Sequence, residues 1–277
     1  MLNGDTRLIG HIGYPTTTFK SPMIYNPWFA KHGINAAVVP LGVRAENFAA
    51  AFPQICRFTN FHGALITMPH KVSVIAFLDE VSTAVRVAGS CNAVRRDADG
   101  RLIGDMFDGA GFVRGLSRHS RSLDGKSVLI VGSGGVGSAI AASAAAAGAA
   151  KVAIYDVNIP AMEGLAERLE QHYPRLTVSG GSNDPSGFDV VVNATPLGMR
   201  AGDPMPLDVS RLAPATFVCE VVLKPKTTAF LAAARARGCE TQVGIDMLFE
   251  QIPAYLEFFG FPSATVAELR EVAEVGS

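Results

Sequence analysis

The sequence lacks the features that mark metal-binding, disulfide-rich or membrane-spanning proteins. No run of about 18 uninterrupted apolar residues exists, so we expect no membrane span. The Ala-rich stretch 139–153 is short and interrupted by Gly148, which favours a buried helix. Cysteines are few and form no Cys-x-x-Cys pair, so we expect neither a zinc site nor a disulfide framework. The four cysteines are Cys56, Cys91, Cys219 and Cys239.

An excess of charge of either sign is also absent. The formal net charge is -1, and nucleic-acid binders usually show a basic face, so no nucleic-acid partner is expected. The first six residues contain no basic region followed by an apolar stretch, so we expect no secretory signal and a cytoplasmic location. The 277 residues, 48% of them hydrophobic, suffice for one large domain or two modest ones.

Apolar runs alternate with amphipathic segments in two series. The first has strand-like runs at 7–13, 36–41 and 63–68, with helix-like stretches at 24–31 and 45–56. This alternation indicates βα units and a parallel sheet. The second series has strand-like runs at 126–131, 151–156, 188–193, 216–222 and 241–243. Its helix-like stretches lie at 135–147, 159–172, 228–238 and 246–260. The sequence therefore predicts an α/β protein of two domains with a cleft between them, a common location for a small-molecule site.

A glycine-rich segment follows the first strand of the second series and opens the next helix. It fits Gly-x-Gly-x-x-Gly, in which the first glycine makes a tight turn and the second lets the backbone approach a pyrophosphate. The third glycine lets helix and strand pack closely, and the helix N-terminus offers N–H groups to phosphates. An ordinary glycine turn is the alternative interpretation. The predicted dinucleotide-binding residues are Gly132, Ser133, Gly134, Gly135, Val136 and Gly137.

Asp156 ends the next predicted strand, close to the roughly 20-residue spacing at which a carboxylate accepts hydrogen bonds from the adenosine ribose. Its charge would repel a 2′-phosphate, and Val157 follows it with no arginine before Arg168. These features predict NAD rather than NADP. A solvated strand-end carboxylate is the alternative for Asp156. Methyltransferases that bind S-adenosylmethionine share a glycine-rich turn and an acidic residue, but the third glycine, Gly137, weighs against that class.

Two ionisable residues precede the glycine turn. Lys71 follows Met68-Pro69-His70 at the end of a predicted strand, and Asp108 lies in a glycine-flanked segment that we expect to be a turn. Oxidation of a secondary alcohol needs a group that takes the hydroxyl proton. A partly desolvated lysine suits this task, and a nearby aspartate would hold its amine in place. Two solvated charges at loop ends are the alternative interpretation.

The order of short motifs resembles the shikimate dehydrogenase family over nearly the whole chain. The matching segments are Gly13-Tyr-Pro15, Lys20-Ser21-Pro22, Gly63-Ala64, Thr67-Met-Pro69-His-Lys71, Gly89-Ser-Cys-Asn92, Asp108-Gly109-Ala-Gly111, the glycine turn, Asn193-Ala-Thr-Pro-Leu-Gly-Met199, and Gly244 with Met247, Leu248 and Gln251. The segment 193–199 is especially specific. In the family it lines the nicotinamide side of the cofactor site.

The resemblance implies a role for each matching residue. Lys71 and Asp108 match the catalytic pair. The positions that hydrogen-bond the substrate's carboxylate and hydroxyls are Ser21, Thr67, Asn92 and Gln251. The further cofactor-binding positions are Asn193, Thr195, Pro196, Gly198, Met199 and Gly244. The implied reaction is reversible NAD(P)-dependent oxidation of shikimate, quinate or a related alicyclic hydroxy acid, of the kind used in aromatic amino acid biosynthesis.

The implied organisation has three parts in a monomer or homodimer. Residues 1–108 form a substrate-binding and catalytic domain, 109–245 a Rossmann NAD(P)-binding domain, and 246–277 a helical segment that packs back on the first domain. An NAD-binding regulatory protein of the same fold without turnover is the alternative function.

Several positions depart from the family pattern. Phe19 and Leu223 replace hydroxyls expected near the substrate carboxylate, and Leu65 replaces an amide expected near the ring hydroxyls. Losing one partner in a buried hydrogen-bonding site costs about 1–3 kcal/mol. We therefore hypothesise weak shikimate turnover, or a related substrate with a less polar pocket. The residues do not determine the substrate or the direction of flux.

Overall fold

The computed structural model describes residues 2–274. In chain order its strands and helices are β1 (Arg7–Gly13), α1 (Pro22–Lys31), β2 (Ala36–Gly42), α2 (Phe48–Ile55), β3 (Phe61–Ile66), β4 (Glu80–Val81), α3 (Thr83–Ala88), β5 (Ala93–Arg96), β6 (Leu102–Asp105), α4 (Asp108–Arg118), β7 (Ser127–Val131), α5 (Gly135–Ala146), β8 (Lys151–Tyr155), α6 (Ile159–His172), β9 (Thr177–Gly180), β10 (Val190–Asn193), β11 (Phe217–Glu220), α7 (Ala229–Ala236), β12 (Thr241–Gln242), α8 (Gly244–Phe258) and α9 (Val266–Val272). Short 3₁₀ helices lie at Thr16–Thr18, Ala45–Asn47, Ser73–Phe77 and Val209–Arg211.

The chain divides into two compact units. Unit 1 contains the residues up to Val85, Ser90–Phe107 and the residues from Ile252 onward. Unit 2 contains Arg86–Gly89 and Asp108–Gln251. The change from unit 2 to unit 1 between Gln251 and Ile252 falls inside α8. The α/β class predicted from the sequence is confirmed.

Unit 1 is built on a six-stranded sheet of order β2-β1-β3-β5-β6-β4. Strand β1 pairs in parallel with β2 and β3, as the sequence predicts. The expectation of a purely parallel sheet is wrong, because β5 runs antiparallel to both β3 and β6. Strands β5 and β6 form a hairpin whose turn is closed by the Asp97 carboxylate, which accepts hydrogen bonds from Asp99 N and Arg101 N. A hairpin needs no crossover helix, so β6 follows β5 without a helix between them.

Unit 2 is built on a six-stranded parallel sheet of order β12-β11-β10-β7-β8-β9. Strands buried on both faces read as continuous apolar runs, which explains why β7, β8 and β10 are evident in the sequence. The core beneath α7 contains Leu129, Val191, Val218, Phe230 and Leu231. Because chain order runs outward from the centre in both directions, the β7–β10 pair is the topological switch point, where α/β sheets bind ligands at their carboxyl edge.

Two further properties of the described residues bear on the expectations above. Within residues 2–274, no helix combines the length and apolar character needed to cross a membrane. All four cysteines are buried as free thiols.

Candidate active site

The glycine turn lies at the switch point of unit 2. Asn193 pairs with Val131, so the residues that follow β7 and β10 are neighbours. Gly132 has φ 107°, a left-handed conformation that favours glycine, and a Cβ there would lie 2.9 Å from the carbonyl carbon of Ala194. A Cβ on Gly137 would meet the backbone carbonyl of Gly132. By contrast, nothing lies within 4 Å of a Cβ on Gly134. The turn is closely packed at its two ends and open in the middle, which fits a dinucleotide pyrophosphate.

Asp156 is held against this turn. Its Oδ2 accepts hydrogen bonds from Ser133 N at 2.5 Å and Ser133 Oγ at 2.8 Å, and its Oδ1 accepts one from Asn158 N at 2.8 Å. Partial burial raises the pKa of Asp156, but the hydrogen bonds from Asn158, Ser133 and Val157 outweigh it and leave the pKa below its usual value. The carboxylate is therefore charged and fixed in place at the end of β8.

The segment after β10 folds around the fully buried side chain of Asn193. Its Nδ2 donates to Leu197 O at 3.0 Å, and its Oδ1 accepts from Thr195 N and from Thr195 Oγ1 at 2.6 Å. Gly198, with φ 99°, packs on Thr228 and donates its N–H to Asp203 Oδ2. Pro196 and Met199 are exposed. This turn is ordered and partly exposed. It begins beside the glycine turn, because Asn193 pairs with Val131, the residue before Gly132.

Gly244 and Glu220 complete this edge of unit 2. A Cβ on Gly244, the first residue of α8, would lie 2.6 Å from the carbonyl carbon of Val221. Sequence analysis missed Glu220, which ends β11 and is buried with Oε1 unpaired. Thr228 Oγ1 donates to Glu220 Oε2 at 2.7 Å. Burial raises the pKa of Glu220 to about 7, against the lowering effect of the Thr228 hydrogen bonds. The signal available in the sequence was an acidic residue within a predicted apolar strand.

In unit 1, the predicted Thr67 and Lys71 lie just beyond the carboxyl end of β3. Thr67 N donates to Ile12 O at 2.9 Å, and Lys71 O accepts from Cys91 N at 2.7 Å. A Cβ on Gly13 would lie 2.7 Å from Met68 O, so the end of β1 packs closely on the turn that carries Thr67 and Lys71. The parallel β1–β3 pair thus fixes this turn at one sheet edge.

Asn92 lies at the same edge, and Ser21 precedes α1. Asn92 is 1% exposed; its Oδ1 accepts from Phe107 N at 2.9 Å, while its Nδ2 has no partner. Ile66 N donates to Asn92 O at 2.8 Å, which ties Asn92 to the end of β3. Ser21 caps α1 without a side-chain hydrogen bond to the helix, so its hydroxyl is not used as a cap. An unsatisfied buried amide is costly unless a ligand completes it.

Asp108 and Gln251 belong to unit 2, whereas Lys71 belongs to unit 1. The expectation that Asp108 lies in a turn is wrong, because it is a buried first-turn residue of α4. A carboxylate there is stabilised by the N-terminal end of the helix dipole. Gln251, in α8, is 7% exposed and its Oε1 has no partner. A Cβ on Gly111 would lie 2.8 Å from Met247 O, so α4 and α8 touch within unit 2.

The residues that depart from the family pattern bring an aromatic pair to unit 1. Phe19 stacks on His11, with ring centroids 3.9 Å apart and an interplanar angle of 21°. Leu65 is buried in β3 opposite His11. Sequence analysis missed His11, although a histidine inside an apolar strand was a visible signal.

Comparison with known proteins gives matches along the whole chain. Residues 11–94 match the model of the shikimate dehydrogenase substrate binding domain. The shikimate dehydrogenase (NADP(+)) of Rubrobacter xylanophilus is 38% identical over 254 residues, covering 90% of this chain and 89% of that protein.

Solved structures show the same architecture. Shikimate 5-dehydrogenase from Listeria monocytogenes, in complex with shikimate and NAD, has a TM-score of 0.89 and 27% identity, covering 98% of this chain and 97% of that chain. The 5-ketofructose reductase of Gluconobacter sp. strain CHM43 has a TM-score of 0.86 and 28% identity, covering 98% of this chain and 99% of that chain.

Proposed function

The chain belongs to the shikimate dehydrogenase family of NAD(P)-dependent oxidoreductases, and from this premise we propose that it reversibly oxidises a secondary alcohol of shikimate, quinate or a related alicyclic compound. The observation that carries the proposal is the Gly132–Gly137 turn packed on the segment after β10 at the switch point. Its open middle and closed ends fit a dinucleotide. Bound nicotinamide supplies the hydride acceptor for the oxidation.

We assign the proton transfer to Lys71. Its backbone is fixed by Cys91, and the charge of its amine is felt by His11 in the same unit. The neutral amine of Lys71 would take the proton of the reacting hydroxyl, and the carboxylate of Asp108 would stabilise the ammonium group that forms. Asn92 and Gln251, each with an unsatisfied buried amide atom, would hydrogen-bond the ring substituents together with Ser21 and Thr67.

The domain roles follow from these assignments. We propose that residues 1–108 bind the substrate, residues 109–245 bind the dinucleotide and residues 246–277 return to the first domain. That the protein is a cytoplasmic monomer or homodimer stays a prediction. Cell fractionation tests the location, and light scattering tests the oligomeric state.

For the cofactor, we propose a preference for NAD. The Asp156 carboxylate is fixed in charged form, and Val157 beside it is 87% exposed. Arg168 is occupied, because its guanidinium donates to Val87 O and Ala88 O. Arg168 is therefore engaged elsewhere rather than held as a clamp for a 2′-phosphate. The Listeria relative is described with NAD, while the Rubrobacter relative is named for NADP.

The proposed substrate pocket is the region in which this chain departs from the family pattern. Phe19, Leu65 and Leu223 have no hydrogen-bonding side chain where the family pattern has a hydroxyl or an amide. We propose weak shikimate turnover or a related, less carboxylate-dependent substrate. The 5-ketofructose reductase among the structural relatives supports widening the panel beyond acids.

The test follows the absorbance of reduced nicotinamide with NAD and NADP in separate reactions. The panel contains shikimate and quinate for oxidation and 5-ketofructose for reduction. Lys71→Ala should lower kcat about 100- to 10,000-fold, as expected for loss of an acid–base group. Lys31→Ala is the control, because Lys31 is a surface lysine of unit 1 that pairs with Glu271. Full activity of Lys71→Ala, or dinucleotide binding with no turnover of any substrate, would favour the regulatory alternative.

A further inference from the structure

His11 is a polar residue among apolar neighbours in β1. It lies in β1, between Pro40 of β2 and Leu65 of β3, and is 7% exposed. The strand residues around it are Ile9, Gly10, Ile12 and Gly13. A central parallel strand is normally apolar, because both of its faces are covered.

The imidazole of His11 is neutral, and one of its two nitrogens has no partner in the folded chain. Burial, and secondarily the positive charge of Lys71, lower the pKa of His11 to about 3. Its Nδ1 is buried without a hydrogen-bond partner. A buried polar group left unpaired opposes folding, so a leucine or valine at this position would stabilise the strand better. Local features that reduce stability in this way are expected at functional sites.

The position of His11 relates it to the proposed substrate groups of unit 1. Its ring is held flat against Phe19, 3.9 Å away. A Cβ on Gly13 would lie 3.2 Å from Phe19 Cζ and would also meet Thr67 Cγ2. The His11–Phe19 stack therefore borders the turn that carries Thr67 and Lys71.

We propose that His11 is a specificity-determining residue whose imidazole hydrogen-bonds a ring hydroxyl of the substrate, with Phe19 fixing the plane of the imidazole. This rests on the proposed function, since it uses the same pocket. A neutral imidazole offers one donor and one acceptor, and a hydroxyl group offers both as well. A carboxylate only accepts, so it matches this residue less well. The ligand class is therefore a polyhydroxylated ring compound recognised through a hydroxyl.

The experiment compares His11→Leu and His11→Asn with wild type over shikimate, quinate and 5-ketofructose. His11→Leu should raise KM about tenfold or more, change kcat less, and keep or raise Tm. His11→Asn should restore part of the affinity, because an amide again donates and accepts. The control is Ile12→Val, which trims the neighbouring buried side chain without removing a polar group. It should leave KM unchanged.

Deoxy analogues of the best substrate locate the contact. Removing the hydroxyl bound by His11 should weaken binding to wild type but have little further effect in His11→Leu. A KM for His11→Leu within about twofold of wild type on every substrate would overturn the proposal.

Ligand-induced shifts in Tm separate this inference from the proposed reaction. If wild type binds a compound without turning it over, the proposed reaction fails. A ligand-induced rise in Tm of wild type that disappears in His11→Leu would then still support the role of His11. Equal shifts in both proteins, or no shift in wild type, overturn it.

Discussion

Two glycines in the turn after β7 allow the stability of unit 2 to be separated from its affinity for dinucleotide. A Cβ on Gly137 would overlap the backbone oxygen of Gly132 and lie 2.9 Å from its carbonyl carbon and 3.2 Å from Ala194 Cβ. Backbone atoms cannot rotate away, so Gly137→Ala should cost about 3 kcal/mol of overpacking. Alanine recovers about 1 kcal/mol of helix propensity in α5. The net loss of about 2 kcal/mol should lower Tm by roughly 4–8 °C.

Gly134→Ala is the matched change three residues earlier. Gly134 has φ -67° and ψ -177°, an extended conformation open to any residue, and a Cβ there meets nothing within 4 Å. Its Tm should stay the same or rise slightly, because alanine restricts the unfolded chain. The added methyl group would occupy space that the pyrophosphate needs, so Kd for NAD should rise about tenfold or more.

Scanning calorimetry of the cofactor-free variants and titration calorimetry with NAD measure the two effects. An unchanged Tm for Gly137→Ala would refute the close packing of helix, turn and strand. An unchanged Kd for Gly134→Ala would refute the approach of the phosphates to this turn.

Two further changes test charges at the same sheet edge. Asp156→Asn removes the charge that would repel a 2′-phosphate, so the ratio of kcat/KM for NAD over NADP should fall about tenfold; an unchanged ratio in initial-rate measurements would show that Asp156 does not select the cofactor. Burial raises the pKa of Glu220 from 4.5 to about 7. Between these two values the side chain is ionised in the unfolded chain but protonated in the folded one, so the fold loses stability as the pH rises. The Tm of Glu220→Gln relative to wild type should therefore increase between about pH 5 and about pH 8, and a constant difference would contradict the raised pKa.

Glu268 provides the control of opposite sign. The hydrogen bonds from Thr265 hold the pKa of Glu268 below its usual value in the capping box of α9. Its contribution is present above the unfolded pKa and is lost as pH falls, so Glu268→Gln should lose its destabilising effect in acid.

The sequence predicted unit 2 better than unit 1, for a physical reason. Parallel strands and the glycine turn leave strong local patterns, and α6 runs over Ile159–His172 as predicted because Asn158 caps it and Pro160 lies in its first turn. Strand β9 (Thr177–Gly180) is a mostly exposed edge strand with little apolar pattern, and it was missed. The β5–β6 hairpin was missed because its strands are four residues each and β5 contains Arg95 and Arg96.

The sequence predicts a turn at Asp108 because of the glycines beside it. However, Gly109 and Gly111 lie inside α4. They are needed for close approach, since Cβ atoms there would lie 2.6 Å from the carbonyl carbon of Ala139 and 2.8 Å from Met247 O. Helix contacts of this kind join residues distant in sequence, so no local pattern distinguishes them from turn glycines.

Unsatisfied buried atoms connect the predicted site residues with those that were missed. Asn92 Nδ2 and Gln251 Oε1 belong to residues that motif order identified, whereas His11 Nδ1 and Glu220 Oε1 belong to residues that no motif identified. Motifs identify what a family shares, and His11 lies outside the segments that match the family pattern. Because an unpaired buried polar group opposes folding, its retention indicates a partner absent from the folded chain alone. His11→Leu should therefore gain stability and lose affinity together, whereas a residue kept only for packing would lose stability first.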